Sequence, residues 1–354
     1  MAPADAFTWT PGARRSVNVL VAMQAMHLCA TQVVMLASDD LLVSLLRAQF
    51  RKKIQRKAVA EGADEAERAA AEEEFEKEVK IKANSRGAHI MSMVMIVISL
   101  ADFVIGPLLG GIADAWGRKF LMLIAPTLQG IFRAAIALRP SVPLFVAFQM
   151  VQGVTNIMTA RVIQLMIGDI VPRHTFEYQR VWGVSSKVNT ILGLIFTVGG
   201  GRVSLKAGFL ASAVINLAQL LSMLLLMADT LQPKDRIPFT FKNSHPFAFI
   251  SFFRRSPMLR NIGIFTVLSE APNFESYNGL FQIHKFGWGK RERSTLHVFR
   301  RSIHFFNFNV YELMVRKLGL TGTLRWGLRC TGMETIIPGV IGKKMRFLIH
   351  FESF

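Results

Sequence analysis

The chain has 354 residues, a formal net charge of +18 and a mean hydropathy of +0.34, with 51% hydrophobic against 19% charged residues. That composition excludes a disordered chain, and a soluble protein of this length could not bury so much apolar sequence while its charges sit in a few blocks. A pI near 10.5 does not signal nucleic acid, because the basic residues fall between long apolar stretches and form no single stripe, as membrane topology requires.

Residues 1–16 lack the pattern of a cleavable signal and read as a cytoplasmic N-terminus, with Arg14 and Arg15 directly ahead of the first apolar run. Seven segments then approach the roughly 20 apolar residues that a bilayer-spanning helix needs. They are 17–41, 89–112, 120–138, 142–170, 181–198, 207–227 and 259–281. Arg139-Pro140, Val171-Pro172 and Gln232-Pro233 punctuate them. Only two cysteines occur, Cys29 and Cys330, too few for a disulfide framework or a metal site.

Between the first two spans lies a charged insert, 47–87, with eleven basic and nine acidic residues. Glu73 and Lys77, Glu76 and Lys80, and Glu78 and Lys82 have helix-supporting spacing, so 63–83 reads as a solvated helix. With a cytoplasmic N-terminus the inner segments carry thirteen basic residues and the short outer ones three, but the insert falls outside, so charge counting does not fix orientation.

After the second span comes Gly110-Gly111-Ile112-Ala113-Asp114-Ala115-Trp116-Gly117-Arg118-Lys119. Glycines at 110 and 117 permit close packing and a sharp turn, Asp114 supplies a carboxylate, and Arg118 and Lys119 supply cations. This resembles the signature loop between helices 2 and 3 of the major facilitator superfamily. Gly168-Asp169-Ile170-Val171-Pro172 with Arg180 and Gly183 is similar to that family's passage from helix 4 to helix 5, and Asp229-Thr230-Leu231-Gln232-Pro233 to its exit from helix 6. With Phe286-Gly287-Trp288 after helix 7, the resemblance covers 17–288. In two places the chain departs from the family: Gln149 stands where helix 4 often has an arginine, and helix 5 has Gly193 and Gly199-Gly200-Gly201 without the Gly-Pro of drug/proton antiporters.

The resemblance implies an all-α membrane fold. A six-helix N-terminal half spans 17–232, a basic cytoplasmic linker 233–258 and helix 7 259–284, and the basic tail 285–354 is an incomplete C-terminal half. The tail carries thirteen basic against four acidic residues, and none of its apolar stretches suffices for a span. The implied activity is secondary transport by alternating access. Asp114 would be a conformational switch, approaching the N-terminal end of a late helix in the other half, and Arg118 would pair with Asp169.

In such a fold helices 1, 4 and 7 line the cavity, and each carries polar residues on one face at helical period. Helix 1 offers Gln24, His27, Thr31 and Ser38; helix 4 offers Gln149, Gln152, Asn156 and Thr159; helix 7 offers Glu270, Asn273 and Tyr277 around Pro272. The competing reading is that these groups bond neighbouring helices. Ionisable groups within spans are costlier and more telling. Glu270 is the first candidate for coupling transport to protons and Asp39 the second. Arg133 would hold an anionic substrate or pair with Asp102, and Arg161 would form a structural ion pair. The expected partners are the lipid bilayer and a small solute, with protons as coupling ions; no cofactor and no nucleic acid is expected. No nucleophile-base set, metal cluster or phosphate loop suggests an enzyme. The alternative functions are a non-transporting membrane protein that works through a partner, an inactive fragment, and, on helix count alone, a seven-helix receptor.

Overall fold

A computed structural model describes residues 8–60, 65–172, 175–200 and 203–241, with scattered single positions beyond. Among these are six long helices: α1 (Pro11–Ala60), α2 (Glu65–Trp116), α3 (Arg118–Leu138), α4 (Val142–Ile170), α5 (Phe176–Gly200) and α6 (Leu205–Leu226). The segment 259–281, expected as helix 7, and the tail lie outside the described residues, as do Glu270, Asn273 and Tyr277.

The first two helices are longer than the sequence suggested. α1 has 50 residues and α2 52, against the roughly 20 that cross a bilayer, so both run on through the charged insert instead of ending at 41 and starting at 89. The insert is therefore no separate helix: 47–60 extends α1 and 65–87 extends α2. Gly62 is the only glycine between 41 and 86 and there is no proline, so a change from apolar to charged composition meets no backbone breaker. Leu42 and Leu46 of α1 pack beside Gly87 of α2, where a Cβ would sit 3.7 Å from each.

Five of the six helices have an 18-residue stretch apolar enough to cross a membrane, within Pro11–Arg51, Ile81–Trp116, Arg118–Leu138, Val142–Ile170 and Leu205–Leu226. α5, with 25 residues, is also long enough to cross, and it carries Lys187 and Asn189 within its length. Outward-facing residues are apolar too: Leu210, Val214, Leu217, Leu221 and Leu225 follow one face of α6, and Leu225 is 81% exposed. An exposed apolar face of this extent suits lipid, not water.

α1 packs against α2, α4, α5 and α6, while α3 packs against α4 and α6. Small residues allow close approaches: Gly208 of α6 lies against the Val33 carbonyl of α1, and Gly153 of α4 receives the Ile98 side chain of α2 with no room for a Cβ. Serines at 141 and 204 cap α4 and α6 by accepting the N–H groups of Leu144 and Ala207.

The core is layered along the helix axes. One apolar cluster includes Leu20, Met23, Leu121, Met122, Met166 and Met223. A second, at the opposite end, includes Val34, Leu42, Ile136, Phe145, Phe148 and Phe209. Between them four helices contribute polar residues: His27 and Thr31 from α1, Gln129 and Arg133 from α3, Thr155 and Asn156 from α4, and Ser212, Asn216 and Gln219 from α6.

Candidate functional site

Two polar assemblies stand out, one at the α2–α3 turn and one in the middle layer. The turn is tight because only Gly117 separates α2 from α3. Its φ of 93° lies in the left-handed region that favours glycine, and a Cβ there would collide with the Asp229 carboxylate.

Arg118, the first residue of α3, is only 6% exposed. It bridges two helices. Its Nη2 donates to Asp114 Oδ1 at 3.1 Å, and its Nε lies 2.7 Å from Asp169 Oδ2, an ion pair not aligned as a hydrogen bond. Thr230 Oγ1 donates to the same Asp169 oxygen at 2.8 Å. Asp114 is bound from its own helix end by Arg118, and the late helix expected to approach it lies outside the described residues. Lys119 Nζ donates to the Leu224 carbonyl at 3.2 Å, a cation on the C-terminal turn of α6.

The segment after α6 acts as a strap. Asp229 Oδ1 accepts the backbone N–H of Arg118 at 3.1 Å and of Lys119 at 3.5 Å, and Arg236 Nη2 donates to Asp229 Oδ2 at 3.2 Å. The Ile237 N–H donates to the Asp114 carbonyl at 3.1 Å. Asp229 and Arg236 were not singled out in the sequence for these roles.

In the middle layer the structure brings together residues that the helical stripes pointed to. His27 Nε2 lies 2.9 Å from Asn156 Oδ1, which also accepts from Gln129 Nε2 at 3.0 Å. Because that oxygen only accepts, His27 donates through Nε2–H, and its Nδ1 is left a buried acceptor with no partner among the described residues. Gln129 Nε2 also donates to Thr155 Oγ1 at 2.7 Å. Thr31 Oγ1 accepts from Arg133 Nη2 at 3.3 Å while donating to the His27 carbonyl.

Other stripe members are spent differently. Gln24 accepts from Ser185 of α5 at 2.6 Å, and Ser38 and Thr159 bond carbonyls of their own helices. Gln149 and Gln152 are half-buried on α4, with Gln152 Oε1 buried and without a hydrogen-bond partner among the described residues. Asp39 lies within α1, but its side chain is outside the described set.

Arg133 does not pair with Asp102. Asp102 is taken by Arg161 at 2.5 Å, across α2 and α4, beside Gly106, where a Cβ would meet the guanidinium. Arg133 is fully buried, and its guanidinium lies 5.8 Å from the centre of the Phe148 ring. The stripe test on helices 1, 4 and 7 missed Gln129, Asn216 and Gln219, which are also fully buried. The same test on α3 and α6 finds them, at spacings of four (Gln129, Arg133) and of four and three (Ser212, Asn216, Gln219). Among the described residues, no group of three His, Cys, Asp or Glu side chains is placed to hold a metal ion.

The sequence model of the Major Facilitator Superfamily matches residues 80–299. The chain is similar in structure to the human organic anion transporter MFSD10 (TETRAN), with TM-score 0.60 and 16% identity over 89% of this chain and 73% of that one. It is also similar to the nucleoside transporter NupG, with TM-score 0.57 and 11% identity over 87% of this chain and 69% of that one. No curated protein sequence matches. With five apolar helices long enough to cross a bilayer and a family match over more than half its length, the chain belongs to the major facilitator superfamily of multi-pass membrane transporters.

Proposed function

We propose that the chain moves a small solute by alternating access, with the middle polar layer as the N-terminal wall of its path and the Arg118 cluster as a latch that opens and closes with each cycle. One observation carries this reading: four helices place polar groups at one depth, between two apolar clusters. Transporters of this kind bind near the bilayer midplane, where buried polar groups are costly unless used. To this wall we assign Gln24, His27, Thr31, Gln149, Gln152 and Asn156, with Asn273 and Tyr277 as further solute-contacting residues, and to Glu270, with Asp39 second, the coupling of transport to protons. Gly110, Asp114, Gly117, Arg118, Lys119 and Asp169 form the latch. The two solved relatives are an organic anion transporter and a nucleoside transporter, so the fold does not select the solute.

Counterflow into proteoliposomes holding the full chain tests this. A carrier that alternates returns faster when loaded, so solute trapped inside accelerates entry of labelled solute. Acceleration with at least one member of a mixed solute panel is expected. Uptake that no internal solute accelerates, or no uptake at all, would favour a non-transporting membrane protein. Glu270→Gln should abolish uptake driven by a proton gradient while sparing counterflow; unchanged proton-driven uptake removes Glu270 from the coupling role.

A further inference from the structure

We infer that the solute is an anion and that Arg133 binds it, an assignment that rests on the transport reading above. The argument begins with charge. Arg118 has Asp114 and Asp169, and Arg161 has Asp102, so each of these arginines is neutralised by a carboxylate from its own or a neighbouring helix. Arg133 is more deeply buried than either, yet a threonine hydroxyl and an aromatic face are what it meets.

The N–H groups on its Nε and Nη1 are buried and without a hydrogen-bond partner among the described residues. An uncompensated buried cation is costly, and a site that tolerates one does so because a negative charge arrives during function. A guanidinium stays protonated and presents a planar set of donors matched to carboxylate, sulfonate or phosphate oxygens.

The surroundings are those of a binding group. Arg133 lies one helical turn from Gln129 on α3, and both reach the network of Thr31, His27 and Asn156 on α1 and α4. The described groups it meets, the Thr31 hydroxyl and the Phe148 ring, are neutral, and the amides and histidine bonded beyond Thr31 are not acids either. Those neutral groups orient a solute without competing for the cation. The Phe148 ring centre lies 5.8 Å from the guanidinium carbon and offers no acceptor that would compete with an anion for the donors on Nε and Nη1.

Full-chain proteoliposomes are offered glutarate, benzoate, uridine, glucose and tetraethylammonium together, and the vesicle contents are measured by mass spectrometry. The expected result is entry of an anion above protein-free vesicles, reduced about tenfold or more by Arg133→Gln and less by Arg133→Lys, which keeps the charge but loses the planar donor set. In detergent, the same anion should raise the melting temperature of the unsubstituted protein and not that of Arg133→Gln. Should Arg133→Gln fail to fold, Arg133→Lys carries the test through a raised half-saturation concentration with anion preference intact. Uptake confined to uridine, glucose or tetraethylammonium overturns the anion assignment and leaves transport standing. Anion uptake unchanged in both variants overturns the role of Arg133. No uptake of any probe by the unsubstituted protein removes the transport reading, and this inference with it.

Discussion

Asp229 caps α3 from 111 residues away, its Oδ1 accepting the backbone N–H of Arg118 at 3.1 Å. Gly117, at the N-cap position, has no side chain to satisfy the exposed N–H groups that begin the helix. The carboxylate supplies both the missing acceptor and a negative charge at the positive end of the helix dipole. Asp229→Ala should lower stability by about 1–2 kcal/mol, the upper range for a lost cap, because Arg236 loses its partner as well. Thermal melting of the purified protein in detergent checks this. Asp229→Asn, which keeps an acceptor but not the charge, should fall between the two.

Gly117→Ala should be destabilising for two separable reasons. At φ 93° an L side chain is strained, which costs about 1–3 kcal/mol, and its Cβ would displace Asp229. Once Asp229 is already alanine the first cost survives, with only the flexible end of Arg236, 2.9 Å from the added Cβ, left to move aside. The double variant Gly117→Ala with Asp229→Ala should therefore be more stable than the sum of the single losses predicts, as a double-mutant melting cycle would show. Strict additivity would mean that the close approach has no energetic consequence.

Arg118 binds α2 to α4 by holding Asp114 and Asp169 together, and Arg118→Ala leaves two neighbouring carboxylates without their cation. The side chains of Asp114 and Asp169 are 41% and 23% exposed, so solvent screens part of the loss. The cost should fall between the roughly 1 kcal/mol of a surface pair and the roughly 3–5 kcal/mol of a broken buried one. Arg118→Lys should recover only part of it, since a single ammonium does not span two carboxylates as a guanidinium does. Melting temperatures and counterflow rates of both variants, measured side by side, check the structural and the latch roles together.

How much of this was legible in the sequence depended on the range of the interaction. A polar residue inside an apolar span is conspicuous, and helical spacing put His27 and Asn156 each on a polar stripe of its own helix, while the resemblance set those two helices around one cavity; the two side chains are 2.9 Å apart. The resemblance likewise related Arg118 to Asp169. Asp229 could not be read as the cap of α3, because capping by a residue so distant depends on where α6 ends in space, not on local sequence. The choice of Arg161 over Arg133 as partner for Asp102 is similar: it follows from the approach of α2 to α4 beside Gly106. The continuity of α1 and α2 through the insert was missed for another reason. Composition changes sharply there, and a boundary between solvents was read as a boundary between helices, although the backbone needs only the absence of a breaker to continue.

The contact of α2 with α4 gives a last test of packing. At Gly153 an added Cβ would run into Cδ1 and Cγ1 of Ile98, and side-chain atoms of one branched residue cannot all move aside in a packed interface. Gly153→Ala should therefore push the two helices apart, costing about 1–3 kcal/mol by overpacking and straining the Arg161–Asp102 pair that crosses the same interface. Ile98→Ala alone removes packing atoms and should also destabilise. Combined, the two changes exchange which helix carries the side-chain volume, so Gly153→Ala with Ile98→Ala should melt higher than Gly153→Ala alone. If the second substitution instead lowers the melting temperature further, the clash is relieved elsewhere and Gly153 does not set the α2–α4 distance.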